Sequence, residues 1–169
     1  MFIWQYLNLP EDEVIKIQNE FRLKLPNNDI FFQSLNIEIT EFCSMPIKSA
    51  ILIQVPPNAG GGERGIHVDT NNTTLALNIP LENCNDSITS FWKTFKPAEM
   101  RENPFGFSYG FYDPRHCRKI TEFKLTRPVI FNSLVAHSVN NPTNKWRRAI
   151  SLRFKTAPWH LVTGAVSWF

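Results

Sequence analysis

Apolar residues recur at every second position in several short stretches of the chain, and turn-forming residues separate these stretches. Leu75, Leu77, Ile79 and Leu81 form the clearest series. A break rich in proline, asparagine and glycine, residues 56–62, precedes it in the chain. A period of two places alternate side chains on one face of a strand. Because this pattern fills most of the chain after its first helix, it predicts a mainly β fold, either a barrel or a jelly roll.

In all, strands are predicted at 2–7, 37–42, 49–55, 74–81, 105–111, 128–131, 134–139 and 146–155. Residues 93–104 are polar and interrupted by prolines, so we expect a loop or a short helix there. Pro80 indicates that its strand ends there or lies at a sheet edge, because proline donates no hydrogen bond to a β-ladder.

The β-rich part of the chain follows one or two predicted helices near the N-terminus. Acidic residues after Pro10 suit a helix start, and the turn-forming residues 26–29 suit its end. Between them, apolar side chains recur at steps of three and four, at Val14, Ile17, Phe21 and Leu25. This narrow apolar stripe predicts a helix that packs on the back of a sheet.

The bulk composition limits the classes of protein that the chain can belong to. Its 169 residues are 43% hydrophobic and 13% aromatic, which predicts one globular domain spanning 1–169. A net charge of +3 is too weak to indicate nucleic-acid binding. The three cysteines lack CxxC spacing and are expected to be free thiols, and no signal peptide or membrane span is expected. We therefore expect a cytoplasmic protein.

A His-x-Asp pair follows the glycine-rich break. His67 and Asp69 are two residues apart, so on an extended backbone both side chains leave the same face. His137 lies much later in the chain, on a strand of its own. Two imidazoles and one carboxylate on one facet form a three-ligand site with open positions, which is typical of non-haem Fe(II) oxygenases.

The last predicted strand has two different faces. Alternation places Arg147 beside Ala149 and Ser151, whose small side chains leave room for a small anion against the guanidinium. A charge-assisted bond of this kind is worth roughly 1.5–3 kcal/mol. Arg148 points to the apolar face and is the competing candidate. Arg153 shares the face of Arg147, where it is expected either to meet an anionic substrate or to form a surface salt bridge.

The order His67-x-Asp69, His137 and Arg147 resembles the Fe(II)/2-oxoglutarate-dependent oxygenases. Residues 146–154 are similar to the phytanoyl-CoA hydroxylase-like branch. The run Asn78-Ile79-Pro80-Leu81 with Phe91-Trp92 is similar to small stand-alone oxygenases of phage and bacterial genomes.

The resemblance implies a double-stranded β-helix, that is, a cupin-like jelly roll. His67, Asp69 and His137 would hold Fe(II), and Arg147 would bind the distal carboxylate of 2-oxoglutarate. With O2, and with ascorbate as a supporting reductant, the enzyme would hydroxylate a substrate and release succinate and CO2. The carboxylate of Asp69 favours hydroxylation over halogenation. Asn78 and Gln54 are candidates for further hydrogen bonds to the cosubstrate or to a ligand.

Two alternatives remain open. One is a catalytically inactive jelly-roll binding or structural protein with a relic metal site, and the other is a cupin-type metalloenzyme that does not use 2-oxoglutarate. The substrate is equally open among a free amino acid, a lipid-like acid, a protein side chain and a nucleobase. The aromatic run 105–112 is expected to form either a core strand or a pocket wall, and the apolar tail 157–169 to close a sheet edge or form a homodimer contact. His116 and His160 are expected to be surface or packing residues.

Overall fold

The computed structural model of the protein describes residues 1–25, 39–60, 65–70, 74–102 and 108–162. One α-helix, α1 (Glu11–Leu23), and two 3₁₀ turns (Pro114–His116 and Trp159–Leu161) accompany twelve strands. The strands are β1 (Trp4–Tyr6), β2 (Glu41–Phe42), β3 (Met45–Val55), β4 (Ile66–Asp69), β5 (Leu75–Glu82), β6 (Ile88–Thr94), β7 (Glu99–Glu102), β8 (Ser108–Tyr112), β9 (Cys117–Lys124), β10 (Val129–Asn132), β11 (His137–Asn140) and β12 (Arg147–Phe154).

The strands form two six-stranded antiparallel sheets. The first sheet has the order β1-β10-β5-β12-β3-β2, and the second has the order β7-β8-β4-β11-β6-β9. The chain alternates between them from β3 to β6 and again from β9 to β12, as jelly-roll winding requires. The predicted mainly β jelly roll is therefore confirmed.

The helix covers the outer face of the first sheet, as its apolar stripe predicts. Ile17 and Phe21 of α1 are buried against side chains that alternate along β5 and β12. This cluster includes Leu75, Leu77, Ile79, Leu81, Ile150, Leu152 and Phe154. Gln18 adds a polar contact, since its side-chain amide donates to the Pro80 carbonyl at 2.7 Å. One face of β5 and one face of β12 therefore pack on the helix side of the sheet.

The opposite face of the first sheet looks into the space between the sheets. Ala76 and Ala149 lie there in a second buried cluster with the aromatic side chains of Phe91, Phe123 and Phe131. Arg147, Ser151 and Arg153 alternate with the helix-facing residues of β12, so they share this inward face. The two faces predicted for the last strand are confirmed, and polar side chains of β12 point into the barrel.

Several local predictions are corrected by the structure. Residues 93–104, expected to be a loop or a short helix, contain the end of β6 and all of β7, whose four side chains are exposed. Pro80 lies two residues before the end of β5, near the strand end that was one of the two predictions, but β5 is an inner strand and not an edge. It lies beside a register shift between Arg148 and Ala149, where the ladder is already interrupted. The strand expected at 134–139 begins only at His137.

Other predictions fall partly outside the described residues. This group comprises Phe105 and Phe107, residues 26–38 and the tail 163–169.

Strands β6 and β9 were not predicted, because their mixed polar sequences lack a clean alternation. No helix among the described residues combines the length and the apolarity needed to cross a membrane.

Candidate metal centre

Adjacent strands of the second sheet bring the His-Asp-His triad together. His67 and Asp69 project from β4, and His137 is the first residue of β11, directly opposite His67 in the antiparallel register. One potential ligand atom from each of the three residues lies within 4.8 Å of the others. Metal–nitrogen bonds of about 2.1 Å put neighbouring ligands about 3 Å apart. Small side-chain rotations are therefore enough to close this group on one ion.

Backbone carbonyls orient both imidazole rings in the same way. Nδ1 of His67 lies 3.1 Å from the Gly65 carbonyl oxygen, and Nδ1 of His137 lies 2.9 Å from the Val135 carbonyl oxygen. A carbonyl only accepts, so each Nδ1 carries the proton and each Nε2 is the basic nitrogen. Gly65 supplies its carbonyl from a positive φ of 60°, where a glycine is favoured. This tautomer is the one that a metal-binding histidine needs.

The two oxygens of Asp69 have different surroundings. Oδ1 lies 3.8 Å from His67 Nε2, on the side of the triad. Oδ2 accepts a hydrogen bond of 2.7 Å from Nη2 of Arg153, which reaches across from the first sheet. Both side chains of this ion pair are mostly buried, with 13% and 9% of their surface exposed. The carboxylate is thus held from the side away from the triad.

Aromatic rings enclose the triad. Phe91 and Phe131 pack against His137, with ring centroids 6.1 and 5.4 Å away. Tyr109 meets His67 edge to face at 6.1 Å and lies opposite Asp69 in the register of β4 and β8. The part of the predicted aromatic wall that the structure describes therefore does stand beside the triad. The apolar rings limit the access of water to the site.

Arg147 is the most unusual polar residue inside the barrel. It is fully buried, with an exposed fraction of 0%. Its Nε donates to Ser87 Oγ at 3.3 Å, but within the described part of the chain neither Nη1 nor Nη2 has a hydrogen-bond partner. Burial lowers the pKa of the guanidinium, and the nearby Cys84 side chain opposes that shift. A buried cation in this state is well suited to receive an anion.

Asn78 Oδ1 on β5 and Ser151 Oγ on β12, on the same inward side, are also buried without a partner among the described residues. Asn78 and Ser151 are register partners. They lie between Arg147 and Arg153 along β12, with Arg153 at the Asp69 end. Asn78, predicted as a ligand contact, is therefore placed where it could serve that role.

Gln54 and Arg148 lie elsewhere. They are register partners on β3 and β12, and Gln54 Oε1 accepts from Arg148 Nε at 2.8 Å. Arg148 Nη1 also pairs with Glu82 Oε2 at 2.6 Å. Arg148 alternates with Arg147, so this group faces away from the barrel interior. Arg147 therefore points into the barrel and Arg148 does not, and Gln54 lies with Arg148 rather than at the triad.

The sequence reasoning missed some contributors to the site. The contact of Arg153 with Asp69 was not predicted: a surface salt bridge was one of the two roles expected for this arginine, and the observed ion pair is mostly buried. Ser87 was not singled out, because a lone serine between two strands carries no local signal. His116 and His160 lie at the surface, partly and largely exposed, as predicted.

Comparison with protein-family models and with characterised proteins gives no match to the sequence. Solved structures do match. EvdMO1 superposes with a TM-score of 0.54 at 12% identity, over 92% of this chain and 47% of that one. The chain thus spans about half the length of EvdMO1. The fold is shared. AviO1 from Streptomyces viridochromogenes Tue57 gives a TM-score of 0.48 at 14% identity, covering 93% and 92% of the two chains.

A Pseudomonas putida prolyl-4-hydroxylase gives a TM-score of 0.39 at 12% identity, covering 91% of this chain and 85% of that one. At identities this low, structural likeness shows the fold alone. The jelly-roll fold that the resemblance implies is confirmed, and His67, Asp69 and His137 converge as it implies.

Proposed function

We propose that the protein is an Fe(II)- and 2-oxoglutarate-dependent oxygenase that hydroxylates its substrate and releases succinate and CO2. One observation carries the proposal. The barrel that holds the His-Asp-His triad also contains the fully buried guanidinium of Arg147, whose terminal nitrogens lack a partner in the described structure. A buried charge is costly unless it is paired. A dicarboxylic acid with one end at a metal and the other at Arg147 would supply that pair.

The donor set fits ferrous iron. His67 and His137 would offer Nε2, and Asp69 would offer Oδ1. Two neutral imidazoles and one carboxylate suit a divalent transition metal and leave further coordination positions open. The buried rings around His137 would keep bulk water from those positions. When bound, the iron supplies the redox chemistry, and the protein supplies binding and orientation.

The inward face of β12 fits the cosubstrate. Arg147 would receive the distal carboxylate through its two terminal nitrogens, while Ser87 continues to hold its Nε. Asn78 and Ser151 would offer hydrogen bonds along the cosubstrate, since their buried oxygens have no partner in the described part of the chain. The side chain of Ala149, on the same face, is small and takes up little of the volume beside Arg147. Bound 2-oxoglutarate would thus give each of these buried polar atoms a hydrogen-bond partner.

Binding measurements with matched variants test the proposal. Wild-type protein is titrated anaerobically with Mn(II) and then with 2-oxoglutarate by calorimetry, and succinate is assayed with Fe(II), ascorbate and O2. We expect Mn(II) binding that Asp69→Ala weakens and 2-oxoglutarate binding that Arg147→Met removes, while Arg148→Met keeps both. Wild-type protein that binds neither Mn(II) nor 2-oxoglutarate would contradict the proposal.

The same titrations distinguish the alternatives. A relic jelly roll should bind neither ligand tightly. A cupin-type enzyme without 2-oxoglutarate should bind the metal but show no response to Arg147→Met. The unpartnered guanidinium favours the 2-oxoglutarate enzyme over both, because neither alternative gives that buried charge an anion. Cytoplasmic location and a homodimer through the C-terminal tail stay predictions of the sequence.

A further inference from the structure

The ion pair between Arg153 and Asp69 connects the two sheets at the triad. Arg153 projects from β12 in the first sheet, and Asp69 ends β4 in the second. Their Nη2–Oδ2 distance of 2.7 Å is that of a charge-assisted hydrogen bond. Because both side chains are mostly buried, solvent screens this pair far less than an exposed one. Its geometry is therefore tightly defined.

The pair fixes which oxygen of Asp69 faces the triad. Arg153 occupies Oδ2, and the other oxygen, Oδ1, lies 3.8 Å from His67 Nε2. A carboxylate whose one oxygen is held by a guanidinium can offer a metal only the other oxygen, unless the ion pair breaks. Single-oxygen binding conserves the open positions that a chelating cosubstrate and O2 both need.

We propose that Arg153 is a positioning residue that holds Asp69 so that it binds the metal through Oδ1 alone. This inference rests on the proposed metal at the triad and assigns a residue outside the three ligands. Outer hydrogen bonds to ligating carboxylates orient them, and their loss typically weakens metal affinity about 10–100-fold. Arg153 thereby couples the last strand of the first sheet to the metal strand of the second.

Charge alone would act in the opposite direction. Arg153 brings a positive charge close to a bound cation, so removing it would tighten metal binding if the residue had no positioning role. A purely structural ion pair would alter the melting temperature and leave the metal affinity unchanged. The sign of the change in metal affinity therefore separates the three roles.

The experiment compares Arg153→Met with a matched control, Arg101→Met. Arg101 forms an ion pair with Glu99 at 3.0 Å, but that pair is exposed and Glu99 is not in the triad. Mn(II) affinity is measured by calorimetry, and Co(II) coordination is followed by visible absorption. For Arg153→Met we expect Mn(II) binding weakened about 10–100-fold and a changed Co(II) spectrum, because Oδ2 is released. Arg101→Met should match the wild type in both measurements.

Arg153→Lys keeps the test decisive if Arg153→Met does not fold. A lysine retains the charge but holds a carboxylate with a shorter, single ammonium group, so we expect Mn(II) binding to weaken by less than in Arg153→Met, by up to about 10-fold. Unchanged or tighter Mn(II) binding in the variant that folds, with a wild-type Co(II) spectrum, overturns the positioning role while the proposed function stands. Failure of wild-type protein to bind Mn(II) overturns both.

Discussion

Replacing Arg147 with methionine should stabilise the protein while removing cosubstrate binding. The two side chains are similar in length, but methionine carries no charge. In the wild type the guanidinium is fully buried, its Nε donates to Ser87, and its two terminal nitrogens have no hydrogen-bond partner among the described residues. Apolar residues in place of buried ionic groups are often neutral or stabilising by about 1–4 kcal/mol. We therefore expect the free energy of unfolding of Arg147→Met to rise within that range.

The effect on binding has the opposite sign. Arg147 offers two terminal nitrogens to a carboxylate, and hydrogen bonds to charged groups contribute about 1.5–3 kcal/mol each. Losing both corresponds to about 3–6 kcal/mol, or roughly 10²–10⁴-fold in the dissociation constant of 2-oxoglutarate. A residue that lowers stability and raises ligand affinity is typical of a functional site.

Thermal melts with and without ligand measure both effects. In a chain of this length each kcal/mol shifts the melting temperature by roughly 2–4 °C. With Mn(II) present, 2-oxoglutarate at 100 times its dissociation constant should stabilise the wild type by about 2.7 kcal/mol and leave Arg147→Met unchanged. Arg148→Met is the control, and it should lose its contacts with Glu82 and Gln54 without altering the ligand-induced shift.

Two results would refute the reasoning. A melting temperature of Arg147→Met well below that of the wild type would show that the guanidinium stabilises the fold and has partners of its own. A ligand-induced shift as large in Arg147→Met as in the wild type would show that 2-oxoglutarate binds elsewhere. Calorimetric titration of the same samples would distinguish lost binding from a small binding enthalpy.

Three further predictions concern other parts of the molecule. Gly110→Ala should destabilise the protein by about 1–3 kcal/mol and weaken Mn(II) binding. The reason is that the new methyl group would lie 2.8 Å from Cγ2 of Val68, the residue between His67 and Asp69 on β4. A melting temperature and an Mn(II) affinity equal to those of the wild type would contradict this. The Arg115 side chain lowers the pKa of Asp113 to about 2. The carboxylate therefore stabilises the fold above its unfolded pKa near 4 and loses this effect as the pH falls through 2. In urea titrations Asp113→Asn should be less stable than the wild type at pH 7, and most of this difference should be lost at pH 2; equal stability at pH 7 would argue against it. Burial raises the pKa of the Cys43 thiol, and two nearby carboxylates add a smaller shift in the same direction. Iodoacetamide should therefore modify Cys43 more slowly at pH 8 than it modifies an unperturbed thiol, which mass spectrometry can measure. Equal rates would speak against this shift.

Local periodicity was sufficient for much of the fold. Alternation along β5 correctly assigned Leu75, Leu77 and Ile79 to one face, and the helix stripe correctly placed Ile17 and Phe21 against it. These are short-range consequences of side-chain direction within one element. The polar strands β6, β7 and β9 were missed for the same reason, since exposed or mixed strands leave no apolar period to detect.

The candidate site divides in the same way. The sequence by itself determined that His67 and Asp69 share a face, because residues two apart on one strand point to the same side. Alternation within the last strand likewise separated Arg147 from Arg148. Only the tertiary structure decided that His137 lies opposite His67, that the terminal nitrogens of Arg147 are buried without a hydrogen-bond partner among the described residues, and that Arg153 reaches Asp69 from the other sheet. Such contacts depend on how two sheets wind around each other, and strand pairing over long sequence separations leaves no periodic signal in the chain.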